Sequence, residues 1–312
     1  MTQSESQIRA MVDVNVTGLT LVSCAAYPML KATEGSMVIN LCSASEFLKH
    51  YKSKKIVLKY GGQVMASDKL SKAFAQDAAI CNLAGLSNLV IHGGGPQIKK
   101  KLEEQNIPSK FILGLRVTDE NVIKIVEDVL LNEINPELVN TIASFGAKSE
   151  PVTARNANAI LKVKTAKNPE LGFVADPEEI DIEKLNKILE ENKVPVIAPM
   201  GLGENNQVYN INADTAAGTI AIKIKAERLL LMTDVPGVKD KNGKYISKLT
   251  IADAEELIND GTITGGMIPK IQTCISAVKN GVGGVVITDG TRPHAVLHEL
   301  FTNEGAGTLI VK

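Results

Sequence analysis

A lysine closes the apolar run Lys55–Lys59 (KIVLK), and Tyr60, Gly61 and Gly62 follow it directly. An ammonium at the carboxyl end of a buried strand stands where open α/β sheets collect ligands. The glycines beside it let backbone N–H groups close on a phosphate. The same arrangement recurs where Asn88–His92 (NLVIH) runs into Gly93-Gly94-Gly95-Pro96 and a basic, helix-like stretch. Three glycines before a helix N-terminus form an anion site. Their spacing fits neither the dinucleotide GxGxxG nor the P-loop GxxxxGK[ST]. Further on, Gly265-Gly266-Met267-Ile268-Pro269-Lys270 sets a lysine one turn inside a helix, also suited to phosphate. Thr233-Asp234-Val235-Pro236-Gly237-Val238 supplies a turn that could hold a nucleotide.

Two further stretches suit a carboxylate or amide ligand. Arg116, between Leu115 and Val117, is placed for a bidentate clamp on a carboxylate, or for an ordinary surface pair with Asp119 or Glu120. Asn210 and Asn212 alternate along an extended segment, so both amides face one way. Asp214 after them suits a helix N-cap as well as a ligand role.

These residues need elements to hold them. Apolar runs at Lys55–Lys59, Asn88–His92, Pro195–Pro199, Arg228–Thr233 and Gly284–Thr288 read as strands buried on both faces of a parallel sheet. Between them, 68–84, 120–144, 182–192, 214–224, 251–260 and 267–280 read as helices, while 162–176 is less regular, a hairpin or lid. The alternation predicts an open α/β sandwich. Ahead of it, 6–31 is helix-compatible and Gly35–Cys42 reads as a buried strand.

Composition narrows the function. The chain has 312 residues, net charge −1 and no Trp, which argues against a nucleic-acid binder. Its four cysteines form no CxxC pair, and His294 and His298, though four apart, have no Glu after the first, so no zinc site is expected. No apolar segment is long enough to span a membrane, and no basic-then-apolar leader opens the chain, so a cytoplasmic protein is expected.

Taken in order, VLKYGG, HGGGPQI, GLRVTD, YNINAD, TDVPGV, GGMIPK and ELFTNEGAGT resemble the amino acid kinase family, and within it the members that phosphorylate N-acetyl-L-glutamate. The resemblance runs from about residue 46 to the end. It implies a three-layer α/β/α sandwich with a mainly parallel central sheet. An N-terminal lobe (about 55–195) would take the acyl substrate and a C-terminal lobe (about 196–312) would take ATP. The implied reaction moves phosphate from ATP to the γ-carboxylate of N-acetyl-L-glutamate, with Mg²⁺ carried mainly by the ATP phosphates. Another carboxylate kinase of the family, or an arginine-sensing relative with weak catalysis, is the alternative.

By motif, Lys59 and Lys270 would neutralise the transferring phosphoryl group and Asp214 would orient them. Gly94, Gly95, Arg116, Asn210 and Asn212 would hold the acyl substrate. Gly61, Gly62, Thr233, Asp234, Gly237, Gly265 and Met267 would hold the nucleotide. His294, Glu299 and Gly307 resemble the end of the arginine-inhibited members, which implies L-arginine as an effector and a homodimer or hexamer. Glu46–Lys52 resembles the end of the helix that interlaces such hexamers. Two departures bear on substrate shaping: Ser149–Ala157 replaces a glycine-rich stretch, and Asn135-Pro136 stands where Asn-Lys is usual, predicting a kink. Residues 11–45 resemble instead a fragment of a short-chain dehydrogenase. They lack a glycine fingerprint, and 1–45 is expected to be a non-catalytic extension.

Overall fold

The computed structural model describes residues 41–312 except Lys167 and Glu304. The dehydrogenase-like stretch and the strand expected over 35–42 therefore lie outside the described residues, except for 41–45, which are helical, so that Leu41 and Cys42 are not extended. The chain runs α1 (Leu41–Tyr51), β1 (Lys55–Tyr60), α2 (Asp68–Leu83), β2 (Ser87–His92), α3 (Gly95–Glu104), β3 (Phe111–Ile112), β4 (Leu115–Arg116) and α4 (Glu120–Glu127). A π-helical turn, Asp128–Ile134, joins α4 to α5 (Asn135–Ser144). Then come β5 (Lys148–Val152), β6 (Leu161–Thr165), β7 (Ala175–Ile180), α6 (Ile182–Glu190), β8 (Lys193–Ile197), β9 (Met200–Leu202) and β10 (Val208–Asn210). The last part comprises α7 (Ala213–Lys223), β11 (Arg228–Thr233), β12 (Lys248–Thr250), α8 (Ile251–Asn259), α9 (Met267–Lys279), β13 (Val285–Asp289), α10 (Ala295–Phe301) and β14 (Gly307–Val311).

An eight-stranded sheet in the order β12-β14-β13-β11-β1-β2-β8-β5 forms the centre. From β13 to β5 every pairing is parallel, while β14 runs antiparallel to β13. All five expected strands are in it. Their continuous apolar sequence has a direct cause: alternate residues go to opposite faces, and helices cover both. From β1, Val57 enters a core with α6, α7 and α9, whereas Ile56, Leu58 and Tyr60 enter one with α2, α5 and α10. Segment 162–176 does contribute to a hairpin, β6–β7, in a smaller four-stranded sheet.

The expected kink at Asn135-Pro136 is corrected. Asn135 keeps helical angles (φ −60°, ψ −50°), and the helical path from Glu120 to Ser144 is unbroken. A proline inside a helix lacks a donor and crowds the carbonyl four residues back. Here Pro136 lies in the first turn of α5, just after the wider π turn. That placement absorbs both defects.

Candidate active site

Strand parity decides where Lys59 goes. It shares a face with Val57, so its side chain leaves the end of β1 toward α7 and α9. There Lys59 Nζ lies 2.9 Å from Asp214 Oδ1, as an ion pair more than an aligned hydrogen bond. Lys270 Nζ, from the first turn of α9, donates to Asp214 Oδ2 at 2.5 Å. Burial alone would raise the Asp214 carboxyl, but the two ammonium groups outweigh it and hold the pKa well below the usual carboxylate range. One carboxylate thus fixes two cations from distant parts of the chain. Lys59 is only 8% exposed, so its charge is held against a desolvation cost that only such pairing offsets.

Asp214 is not the helix cap. Asn212 caps α7, its Oδ1 accepting from the N–H groups of Asp214 (3.0 Å) and Thr215 (3.1 Å). Asn210 and Asn212 differ in their partners: Asn212 Oδ1 is committed to the backbone. Asn210 Nδ2 instead reaches Thr118 Oγ1 at 3.4 Å. Both still line one cavity of about 190 Å³, together with Lys59, Gly94, Gly95 and Arg116.

Arg116 resolves its own ambiguity. Asp119, one of its two expected partners, instead caps α4, accepting from the N–H groups of Asn121 and Val122. Its guanidinium contacts Ser109 Oγ, donates to the Gly95 carbonyl at 3.3 Å and stacks over Phe111 at 4.8 Å. Burial lowers its pKa, yet a guanidinium stays charged. The result is a desolvated cation that has no carboxylate partner among the described residues and lines the cavity. Sequence reasoning missed Phe111 and Ser109, which brace it.

Gly61 and Gly94 are required by close approach. A Cβ at Gly94 would meet Leu130 Cδ2 at 2.5 Å and Ile134 Cδ1 at 2.9 Å, both on the π turn. At Gly61 it would stand 2.8 Å from Lys59 Nζ. Because that obstacle is the flexible end of a lysine, Gly61→Ala is expected to re-aim the ammonium rather than unfold the protein. A displacement near 1 Å costs on the order of 100-fold in rate. We expect kcat to fall by at least tenfold with the melting temperature nearly unchanged, checked by steady-state kinetics and thermal denaturation. A kcat near wild type would remove the requirement at Gly61.

Gly62, Thr233, Asp234, Gly265 and Met267 lie at the carboxyl ends of β1 and β11 or at the start of α9. Gly237 is tied to packing, since Val238 N–H donates to Thr308 Oγ1 at 2.9 Å beside it. Of the residues expected at an effector site, Gly307 fits against the Ile287 carbonyl in the β13–β14 pairing. Glu299 Oε2 accepts from Ala306 N–H at 2.6 Å, and burial raises its carboxyl pKa. His294 contacts Asp77 Oδ1 of α2 through Nδ1 at 2.7 Å.

Hydrogen bonding to Asp77 raises the His294 pKa above its ordinary value. A raised folded-state pKa contributes stability below the unfolded pKa, about 6.5, and loses it as pH climbs through the folded value. His294→Asn, which tolerates the left-handed φ of 59° at this position, removes the titration. The stability gap between wild type and this variant is expected to be wider at pH 6 than at pH 8.5 in denaturant titrations. An equal gap at both values would show that the pair does not titrate in this window.

Among the described residues no group of three His, Cys, Asp or Glu side chains could hold a metal. Both Asp214 oxygens face lysines, so the residues present do not form a protein cage for Mg²⁺. The replaced segment 149–157 does not line the cavity. It is braced by Asn156, whose Oδ1 accepts from Thr153 N–H and Asn158 N–H, and by Asn158, whose Nδ2 donates to Glu150 Oε1. A second cavity of about 350 Å³, bordered by Tyr60, Met65, Gln97 and Glu137, is larger but is lined by none of Lys59, Arg116 and Asn210. Chemistry, not size, singles out the site.

Known proteins resemble this chain along most of its length. The model of the amino acid kinase family matches residues 54–289. The acetylglutamate kinase of Rhodopseudomonas palustris (strain BisB18) is 46% identical over 283 residues, covering 87% of this chain and 95% of the relative. That of Mesorhizobium japonicum is 46% identical over 293 residues, covering 90% and 99%. Among solved structures, the N-acetylglutamate synthase of Neisseria gonorrhoeae, complexed with coenzyme A and N-acetyl-glutamate, superposes with a TM-score of 0.79 at 20% identity. That match covers 87% of this chain and 62% of the synthase. It speaks to the fold alone.

Proposed function

The chain belongs to the amino acid kinase family, and on that premise we propose that it transfers the γ-phosphoryl group of ATP to the γ-carboxylate of N-acetyl-L-glutamate, a step of arginine biosynthesis. The observation that carries this reading is the Lys59–Asp214–Lys270 bridge, whose Lys59 lines one cavity with the glycine turn and Arg116.

The acceptor carboxylate is ionised at neutral pH, so the reaction needs no general base. A carboxylate oxygen forms the new bond to the γ-phosphorus. The bond to the bridging oxygen breaks, and its electron pair leaves with ADP. Catalysis is then positioning and charge stabilisation. Lys59 approaches from the β1 side and Lys270 from the nucleotide side, each aimed by Asp214. Gly94 and Gly95 offer N–H groups to the acceptor and the moving phosphoryl group. Arg116 binds the α-carboxylate of the substrate, and Asn210 its opposite end. Mg²⁺ would be held by the triphosphate oxygens rather than by a protein cage and would supply charge neutralisation there. The half before β8 takes the acyl substrate and the half after it the nucleotide.

The test is ADP release by the full chain with N-acetyl-L-glutamate, compared with aspartate and carbamate as acceptors. Turnover with N-acetyl-L-glutamate alone is expected. Turnover only with another acid would keep the family and change the substrate.

Regulation forms part of the same proposal. Tyr51 of α1 lies under the Arg228 guanidinium at 5.8 Å, and Glu299 faces the same cation. This links α1 to α10 at the segment that resembles an arginine effector site. Inhibition by L-arginine and assembly into a homodimer or a hexamer through α1 are proposed on that basis, in a cytoplasmic enzyme. None of the described helices is long and apolar enough to cross a membrane.

A further inference from the structure

His92 ends β2 at a position paired in register with Tyr60, on the sheet face opposite Lys59. Its ring is fully buried and meets two partners. Nδ1 lies 2.8 Å from the Gly93 carbonyl, and Nε2 lies 3.1 Å from Asn135 Nδ2. The same Asn135 nitrogen donates to the Val196 carbonyl of β8 at 2.8 Å. Burial pushes the His92 pKa down to about 4, so the ring is neutral throughout the working range.

A neutral imidazole has one donor and one acceptor. The Gly93 oxygen can only accept, so the proton sits on Nδ1 and Nε2 is the acceptor. The Val196 oxygen likewise fixes the Asn135 amide, because a flipped amide would set oxygen against oxygen. Every hydrogen in the relay therefore has a defined direction: Asn135 to Val196, Asn135 to His92, and His92 to Gly93. The relay ends on the carbonyl of the Gly93–Gly94 peptide. In a planar trans peptide the N–H points opposite to the C=O. Holding the Gly93 oxygen toward His92 turns the Gly94 N–H the other way, into the cavity. Leu130 and Ile134 of the π turn occupy the space where a side chain on Gly94 would stand.

We infer that His92 and Asn135 are positioning residues for the phosphoryl transfer, setting the Gly94 N–H through the Gly93 carbonyl without touching substrate. The inference rests on the proposed reading of the glycine turn as the donor to the acceptor carboxylate and the transferring phosphoryl group. It also gives a use to Asn135, whose family-like position next to Pro136 otherwise has no catalytic explanation.

Two shape-conserving substitutions separate positioning from packing. The amide of His92→Asn reaches roughly where Nδ1 stands and can still donate to the Gly93 carbonyl. That of His92→Gln reaches where Nε2 stands and cannot. With the full chain, ATP and N-acetyl-L-glutamate, His92→Gln is expected to lower kcat at least tenfold while the KM for ATP stays within about twofold. The loss in His92→Asn is expected to be several-fold smaller, at comparable melting temperatures. A mislaid oxyanion-type donor typically costs on the order of 100-fold in kcat. Equal losses in the two variants, or losses that follow the melting temperature, would overturn the inference.

Imidazole ¹⁵N spectra give a readout that does not depend on turnover. They should show the Nδ1–H tautomer in wild type, with no titration above about pH 5, and loss of that single tautomer in Asn135→Leu. A wild-type Nε2–H tautomer would sink the idea even in a fully active enzyme. Absence of ADP release by wild type would instead count against the substrate reading alone.

Discussion

Lys59→Met is expected to lower kcat about 1000-fold while leaving the KM for ATP within a few-fold of wild type. The magnitude follows from what the ammonium does: a preorganised cation at the charge that develops in phosphoryl transfer contributes on the order of 10³-fold or more. Methionine matches the lysine stem, so the packing of the β1 end survives. Asp214 retains Lys270 on its other oxygen, so no buried carboxylate is left wholly unpaired. Lys270→Met should cost a similar factor. The double variant should lose far less than the product of the two, because the lysines act as a unit through one carboxylate. Single-turnover ADP formation would separate the chemical step from product release. A fall of less than tenfold in either single variant would refute the assignment of these lysines to the transferring group.

The second large effect falls on binding. Arg116→Met is expected to raise the KM for N-acetyl-L-glutamate about 100-fold with a much smaller change in kcat. Hydrogen bonds to a charged partner are worth roughly 1.5–3 kcal/mol each, and a bidentate contact in a desolvated site stands at the upper end. The guanidinium already donates to the Gly95 carbonyl and is braced by Phe111, so it is oriented before substrate arrives. Lysine cannot reproduce that fork, and Arg116→Lys should recover only part of the loss. If kcat fell and KM did not, Arg116 would belong with the transition state and not with substrate recognition.

Much of this architecture is legible in the sequence because both faces of the sheet are covered. Runs such as RLLLMT have no polar alternation to confuse, and the glycine pairs mark where strands stop. Lys59 was legible for the same reason, as a charge at the end of an apolar run, and Lys270 as a charge one turn inside a helix after a glycine pair. Other features depend on long-range packing that no local pattern encodes. β5 reads KSEPV, a polar edge strand with a proline, and β14 pairs antiparallel with β13 only after α10 has turned the chain. Asn212 as cap and Asp214 as bridge could not be told apart, since either residue suits the start of a helix. The π turn leaves no mark in the sequence except Pro136, which reads as a kink when the wider turn is not anticipated. The partner of His92 lies 43 residues away, and only the fold brings Asn135 to it.

The position of β1 in the sheet has a consequence for how the protein is made. Its neighbour β2 follows within a few dozen residues, but its other neighbour, β11, begins only at Arg228. On the ribosome, the strand bearing Lys59 can pair along one edge early. The edge meant for β11, and the face meant for α7 and α9, stay uncovered until most of the chain has emerged. Domains synthesised N-terminus first expose such surfaces to wrong partners for as long as the missing pieces are delayed. A nascent chain stalled before Arg228 should therefore be a substrate for holdase chaperones, and the two lysines should meet across Asp214 only near the end of translation.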